Sequence, residues 1–128
     1  MKYLLDTNIC AFHLRGKLNL NGHKDCYVSE ITVFELRFGA ENSGNPAKHH
    51  ALVDNLLKEL TILPIISCVD VYSKEKVRLR KLGKPINDEF DLLIGATAIK
   101  NKLILVTDNV KDFERLDGIK IENWLHSH

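Results

Sequence analysis

The sequence predicts an α/β fold in which a central, mostly parallel β-sheet is flanked by α-helices. Three observations carry that expectation. Short apolar runs recur along the chain, helical patterns fall between them, and the runs lack the in-and-out alternation of strands that have one wet face. With 128 residues, 45% of them hydrophobic and 27% charged, the chain has the size and composition of one domain covering residues 1–128.

The elements follow in order. Residues 2–5 form the first apolar run, ending at Asp6. A helix is expected over 8–14, then a polar loop over 16–24, and a second strand over 26–28 that stops at Ser29. The next helix, 30–41, carries Ile31, Phe34, Leu36 and Phe38. After a loop at 42–46, the stripe of Leu52, Val53, Leu56, Leu57 and Leu60 predicts a helix over 47–60. Residues 62–66 read as a third strand and 69–82 as a helix stopped by Gly83 and Pro85. Asp88 is placed to cap a helix over 89–100. A strand over 103–106, a helical turn near 112–116 and an edge strand over 118–122 complete the chain.

Composition removes several classes of function. Eighteen Lys and Arg against 17 Asp and Glu leave a net charge of +1, so any nucleic-acid contact must be local rather than driven by the overall field. No apolar run approaches the ~20 residues that span a bilayer, and the opening Met1-Lys2-Tyr3-Leu4-Leu5 is cut off by Asp6, so no membrane association or leader is expected. Cys10, Cys26 and Cys68 have neither a pairing pattern nor metal-ligand spacing, and buried reduced thiols in a cytoplasmic protein are expected. The six histidines read as surface residues: His49 and His50 diverge by ~100° on a helix, and His126 and His128 fall in the tail.

The chemistry is expected where strands end. In an open parallel sheet the loops at the carboxyl ends of the strands share one edge. Asp6 follows the first strand directly and Asp108 follows the 103–106 strand after Thr107, so both should emerge there although 102 positions separate them. Glu35, more than a turn into its helix and flanked by Ile31 and Phe38, needs a partner. Asp91 lies in the first turn of the helix that Asp88 caps. Any one of these acids could be an ordinary cap or a dipole-stabilised first-turn residue. Together they would repel one another unless a cation sat among them. With only oxygen donors the site should prefer a hard ion, Mg²⁺ or Mn²⁺, and such sites suit phosphodiester hydrolysis by activated water.

The residues then resemble a known family, the PIN-domain ribonucleases, and within it the VapC-type toxins of toxin-antitoxin pairs. The resemblance rests on Leu5-Asp6-Thr7-Asn8, on Ser29-Glu30-Ile31-Thr32-Val33-Phe34-Glu35-Leu36 with Gly39-Ala40, and on Gly83-Lys84-Pro85-Ile86 leading into Phe90-Asp91-Leu92-Leu93-Ile94-Gly95-Ala96-Thr97-Ala98. Val106-Thr107-Asp108-Asn109 with Asp112-Phe113 and the ending Gly118-Ile119-Lys120-Ile121-Glu122-Asn123-Trp124 complete it. Order, spacing and length match over nearly the whole chain. The resemblance implies metal-dependent endoribonuclease activity, with Asp6, Glu35 and Asp91 as acidic ligands and Asn8 and Thr107 supporting them. Asp108 is the first choice for a fourth acid and Asp112 the alternative, while Asp88 is an accessory acid or an N-cap. It also implies a VapB-like antitoxin, whose C-terminal segment presents a basic side chain to the acids, and a homodimer.

An acidic site that acts on RNA needs cations nearby. Lys74, Lys76, Arg78, Arg80, Lys81 and Lys84 place six in eleven residues, and Arg78, Arg80, Lys81 and Lys84 are the candidate phosphate contacts. The bland alternative is the solvated face of a helix. Two other functions are compatible with single features of the sequence. An Asp-dependent phosphatase or phosphotransferase would need a lysine at the end of a late strand, where this chain has Thr107-Asp108-Asn109. A non-catalytic α/β binding module would make every acid a cap.

Overall fold

The computed structural model describes residues 2–126. His128, read as a tail residue, lies outside them, as does the side chain of His126. The strands are β1 (Tyr3–Leu5), β2 (Cys26–Ser29), β3 (Thr61–Leu63), β4 (Ile104–Val106) and β5 (Lys120–Glu122), and the helices are α1 (Thr7–Leu14), α2 (Glu30–Glu41), α3 (Pro46–Lys58), α4 (Val69–Lys81), α5 (Glu89–Lys100) and α6 (Val110–Phe113). Short 3-10 turns occupy Ile66–Cys68 and Trp124–His126.

The sheet order is β3-β2-β1-β4-β5 and every pairing is parallel, so the expected mostly parallel sheet is wholly parallel. β1 is central, and its residues alternate between the two faces. Leu5 joins a core of Ile9, Cys10, Val28, Leu36, Val53 and Leu56 under α1, α2 and α3, whereas Leu4 joins Leu79, Leu92, Ile94, Leu105, Phe113 and Leu116 under α4, α5 and α6. That two-sided burial explains why β1 and β4 lack alternation in the sequence. The outer strands differ: Thr61 and Ile62 of β3 and Lys120 and Glu122 of β5 are exposed, as the edges of an open sheet must be.

Several boundaries move: α3 ends at Lys58 rather than at residue 60, and β5 starts at Lys120 rather than at residue 118. The third strand ends at Leu63 rather than at residue 66, because Pro64 has no N–H for the ladder and the following residues turn into Ile66–Cys68. The late helical turn starts at Val110, behind the N-cap position of Asn109, not at residue 112. The three cysteines are free and buried, as expected.

Successive strands step outward from β1 through β2 to β3, and the chain then crosses to β4 on the other side. The order therefore reverses between β1 and β4, and the carboxyl ends of those two strands flank the crevice that such a reversal opens.

Candidate active site

Asp6 is placed by register. Leu5 pairs with Val106, and the Asp6 amide continues the ladder by donating to the Val106 carbonyl at 2.9 Å. Thr107, the next residue on β4, then stands beside Asp6, and its hydroxyl donates to Asp6 Oδ2 at 2.8 Å. Asp6 Oδ1 accepts the Thr7 amide at 2.8 Å and so caps α1. The carboxyl is only 3% exposed. Burial pushes it up to about 6, with the nearby Glu35 and Asp108 adding to the rise and the bonds from Thr107 and Thr7 opposing it.

Glu35 reaches the same edge from α2. Its Oε1 accepts the Thr7 hydroxyl at 2.6 Å, and that hydroxyl also lies 3.0 Å from the Thr32 hydroxyl. Thr7 is thus the partner that a half-buried glutamate among apolar neighbours requires, and it ties Glu35 to the residue after Asp6.

Asp91 arrives from α5. Asp88 caps that helix, accepting the amides of Phe90 at 2.9 Å and Asp91 at 3.3 Å. Partial burial pushes the Asp91 carboxyl up to about 7, and the charges of Asp6, Asp88, Glu35 and Asp112 push the same way. Asp91 therefore lies within electrostatic reach of Asp6 although the two are carried by different elements. Asp108 is half-buried, and its Oδ1 accepts Asn8 Nδ2 at 3.4 Å.

The sequence reading left Asn109 without a role. Its amide nitrogen donates to Asp112 Oδ2 at 3.1 Å and approaches Asp91 Oδ2 at 3.5 Å, while its backbone N–H donates to the Thr107 hydroxyl at 3.0 Å. Asn109 thus spans both acids from the turn that also orients Thr107. Its place just before a short helix, three residues ahead of Asp112, was the available signal. Arg115 was missed too: it lies 3.6 Å from Asp112 and donates to the Pro85 carbonyl at 2.8 Å.

The four basic candidates part company. Arg78 grips both oxygens of the buried Glu75 at 2.7 and 2.8 Å and also donates to the Arg115 carbonyl, so its guanidinium, although partly exposed, is engaged by the fold's own acceptors. Arg80, Lys81 and Lys84 are exposed. Glu75 in turn accepts the Asp117 amide at 2.7 Å, which fastens the 115–117 turn onto α4.

Among the described residues, no three His, Cys, Asp or Glu side chains stand close enough to form a ready-made metal cage. The donor set nevertheless fits a hard cation: it holds carboxylates, hydroxyls and amides, and Asp6 and Asp91 are held above the usual carboxylate range by burial and the neighbouring acids, which a cation would relieve. The nearest thiol, Cys10, is fully buried, and desolvation together with Asp6 pushes it up, away from the thiolate a soft metal needs. Beside Glu35 a groove of about 310 Å³ runs between α1, α2 and α3, lined by Thr7, Ala11, Gly39, Ser43 and His49.

Comparison with known proteins gives a consistent result. The family model of the PIN domain matches residues 3–119. A tRNA(fMet)-specific endonuclease VapC of Salmonella typhimurium is 34% identical, with 97% of this chain and 98% of that protein covered. A ribonuclease VapC2 of Haemophilus influenzae is 38% identical over 98% and 99% of the two chains. Among solved structures, DNA-bound VapBC from Salmonella typhimurium superposes with a TM-score of 0.90 at 31% identity, over 97% of this chain and 98% of that one.

Proposed function

The chain belongs to the PIN-domain family and is similar along its length to VapC ribonucleases, and from that premise we propose that it is an endoribonuclease toxin neutralised by a VapB-like antitoxin. The reading takes residues 1–128 as one PIN unit acting in the cytoplasm, with Asp6, Glu35, Asp91 and Asp108 as the working acids. Asn8, Thr107 and Asp112 support them, and Asp88 serves first as the cap of α5. What supports it is that Asp6, Glu35 and Asp91, from three elements, lie within electrostatic reach of one another near the reversal between β1 and β4, Glu35 raising Asp6 and both raising Asp91.

The protein's own groups have separate tasks. Thr107 and the α1 amide fix the two oxygens of Asp6 in different directions. Thr7 holds Glu35, and Asn109 steadies Asp91, so each acid keeps one orientation while its charge stays unneutralised. Mg²⁺ or Mn²⁺ held by these carboxylates would supply Lewis-acid activation of water and charge neutralisation at the scissile phosphate. Either divalent ion meets the same oxygen donors.

A groove that starts at Glu35 and mixes apolar residues such as Leu14, Leu36 and Val53 with Thr7, Arg15, Ser43 and His49 offers room for an extended antitoxin segment whose basic side chain reaches the acids, which inhibits by charge and by occlusion together. A homodimer would set two such pockets in one groove. Of the four basic candidates, Arg80, Lys81 and Lys84 are the exposed ones, and in this reading they meet RNA phosphates.

The test is the mapping of new RNA 5′ ends in a bacterial host after induction of the wild type or Asp6→Asn. New ends confined to the wild type, at one or a few positions, are expected. The tRNA(fMet) named for the Salmonella relative is the first RNA to inspect. Coincident profiles from soluble, antitoxin-free protein would reject the nuclease.

A further inference from the structure

One arginine beyond β4 touches both segments that present Asp91. Arg115 donates from Nη1 to the Pro85 carbonyl at 2.8 Å, and its Nη2 lies 3.6 Å from Asp112 Oδ1. Pro85 belongs to the loop that leads into Asp88, whose carboxylate accepts the Asp91 amide at 3.3 Å. Asp112 Oδ2 accepts Asn109 Nδ2 at 3.1 Å, and the same nitrogen lies 3.5 Å from Asp91 Oδ2. One guanidinium thus meets the loop before α5 and the short helix α6 that packs on it.

These contacts run in one direction, from the surface to the acids. Ionised carboxylates only accept, so an Asn side chain between Asp91 and Asp112 must turn its nitrogen to both. Asp112 holds that nitrogen only while its own carboxylate is fixed, and Asp112 is half-exposed on a helix of four residues. The planar fork of Arg115 supplies the hold, with one arm aimed by the Pro85 carbonyl and the other on Asp112. Asn109 carries it further inward, since its backbone N–H donates to the Thr107 hydroxyl, which donates to Asp6. An ordinary surface ion pair would be the simpler account, but such pairs add little stability. The 115–117 turn is also fastened without this side chain, by Arg78 on the Arg115 carbonyl and by Glu75 on the Asp117 amide.

Resting on the nuclease reading above, we propose that Arg115 is a positioning residue for the metal-binding acids, holding Asp91 through Asp112 and Asn109 in the orientation that accepts a divalent cation. It touches neither the ion nor the RNA. Its positive charge taken alone disfavours a cation nearby, so geometry and charge predict effects of opposite sign.

The test measures Mn²⁺ affinity of the full chain from the paramagnetic resonance signal of the free ion, for the wild type, Arg115→Lys and Arg115→Gln. Lysine keeps the charge but has no planar fork to span Pro85 and Asp112, and glutamine removes the charge. Both changes should weaken Mn²⁺ binding by about fivefold, short of the ~10–100-fold lost with a direct partner of a ligand. In an Asp112→Asn background, Arg115→Lys should cost nothing further, because the two residues act in series. Both Arg115 variants should melt within ~2 °C of the wild type.

Unchanged Mn²⁺ affinity in Arg115→Lys would overturn the proposal, and so would tighter binding by Arg115→Gln, which is the mark of charge alone. A loss from Arg115→Lys that persists beside Asp112→Asn would also overturn it, as would a fall in Tm of several degrees, the mark of a structural bridge. Weaker RNA binding at unchanged Mn²⁺ affinity would make Arg115 a phosphate contact instead. The wild type separates the two levels. If it binds Mn²⁺ and cuts RNA while the Arg115 variants do both equally well, only the role of Arg115 is rejected. If it does neither, the nuclease reading falls with it.

Discussion

Thr107 and Thr7 both donate to Asp6, yet burial outweighs them and holds the carboxyl at about 6, while Asp91 sits at about 7. Both values lie above the ~3.9 of an unfolded Asp. The folded protein therefore binds protons more tightly than the unfolded chain between roughly pH 4 and 7, and by linkage its metal-free stability falls as pH rises through that window. Asp91→Asn removes the more exposed of the two charges and keeps the geometry. Since Asp91 is half in solvent, the effect is discounted for screening to about 1 kcal/mol. In EDTA at pH 7.5 we expect Asp91→Asn to melt ~3–6 °C above the wild type and to lose the rise in Tm that Mg²⁺ gives the wild type. Calorimetry with and without the ion checks both, and a lower Tm in EDTA would assign Asp91 a purely structural role. Asp6 and Asp108 were legible because each follows an apolar run, Asp6 directly and Asp108 after Thr107. Asn109 was not, since an uncharged amide leaves no mark until the fold sets it between Asp91 and Asp112. The Thr7 bond to Glu35 was hidden for a similar reason, depending on how α1 packs on α2.

Helix α5 brings Asp91 to the pocket, and one glycine sets how close it can run to α6. A Cβ at Gly95 would stand 2.3 Å from Leu116 Cδ1 and 3.3 Å from Phe113 Cδ1, and both side chains are buried in the core beneath α4 and α5. Leu116 would have to leave its packing, and the turn that carries Asn109 and Asp112 would move with it. Overpacking of this kind costs ~1–3 kcal/mol. Gly95→Ala should lower Tm by several degrees, and it should slow cleavage by more than the unfolded fraction accounts for, because Asn109 shifts away from Asp91. Chemical denaturation paired with single-turnover cleavage measures both effects. Wild-type stability would show that Leu116 repacks freely. The sequence showed a glycine inside an apolar helix without showing what approached it. The same limit explains β3, where an apolar run from Ile62 to Ile66 conceals the break at Pro64, and α6, whose start depends on the cap position at Asn109 rather than on periodicity.

Over the whole molecule, a net charge of +1 conceals a separation of charge. Acids gather at the carboxyl ends of β1 and β4, and cations line the last turn of α4, which includes Arg78, Arg80 and Lys81. The Lys100 to Asp70 pair at 3.3 Å joins the end of α5 to the start of α4. The two helices therefore run antiparallel, and the basic end of α4 lies at the same end as Asp88 and Asp91. The proposed function has a strand of RNA whose scissile phosphate faces the acids and whose neighbouring phosphates meet Arg80, Lys81 and Lys84. Each cation that neutralises a phosphate of a single strand contributes about 0.7 to the slope of log K against log salt. Arg80→Glu with Lys81→Glu should flatten that slope by about 1.4 with a modest fall in Tm, since both side chains are exposed but their cations favour the last turn of α4. Arg78→Ala should do the reverse. It strips Glu75 of its two charge-assisted bonds, loosens the 115–117 turn and lowers Tm, yet changes the salt slope little. Titrations of RNA binding at several salt concentrations, read beside thermal melts, separate the two cases. A slope unchanged by the Arg80 and Lys81 reversals would take RNA off α4 and leave its cations as a solvated helix face.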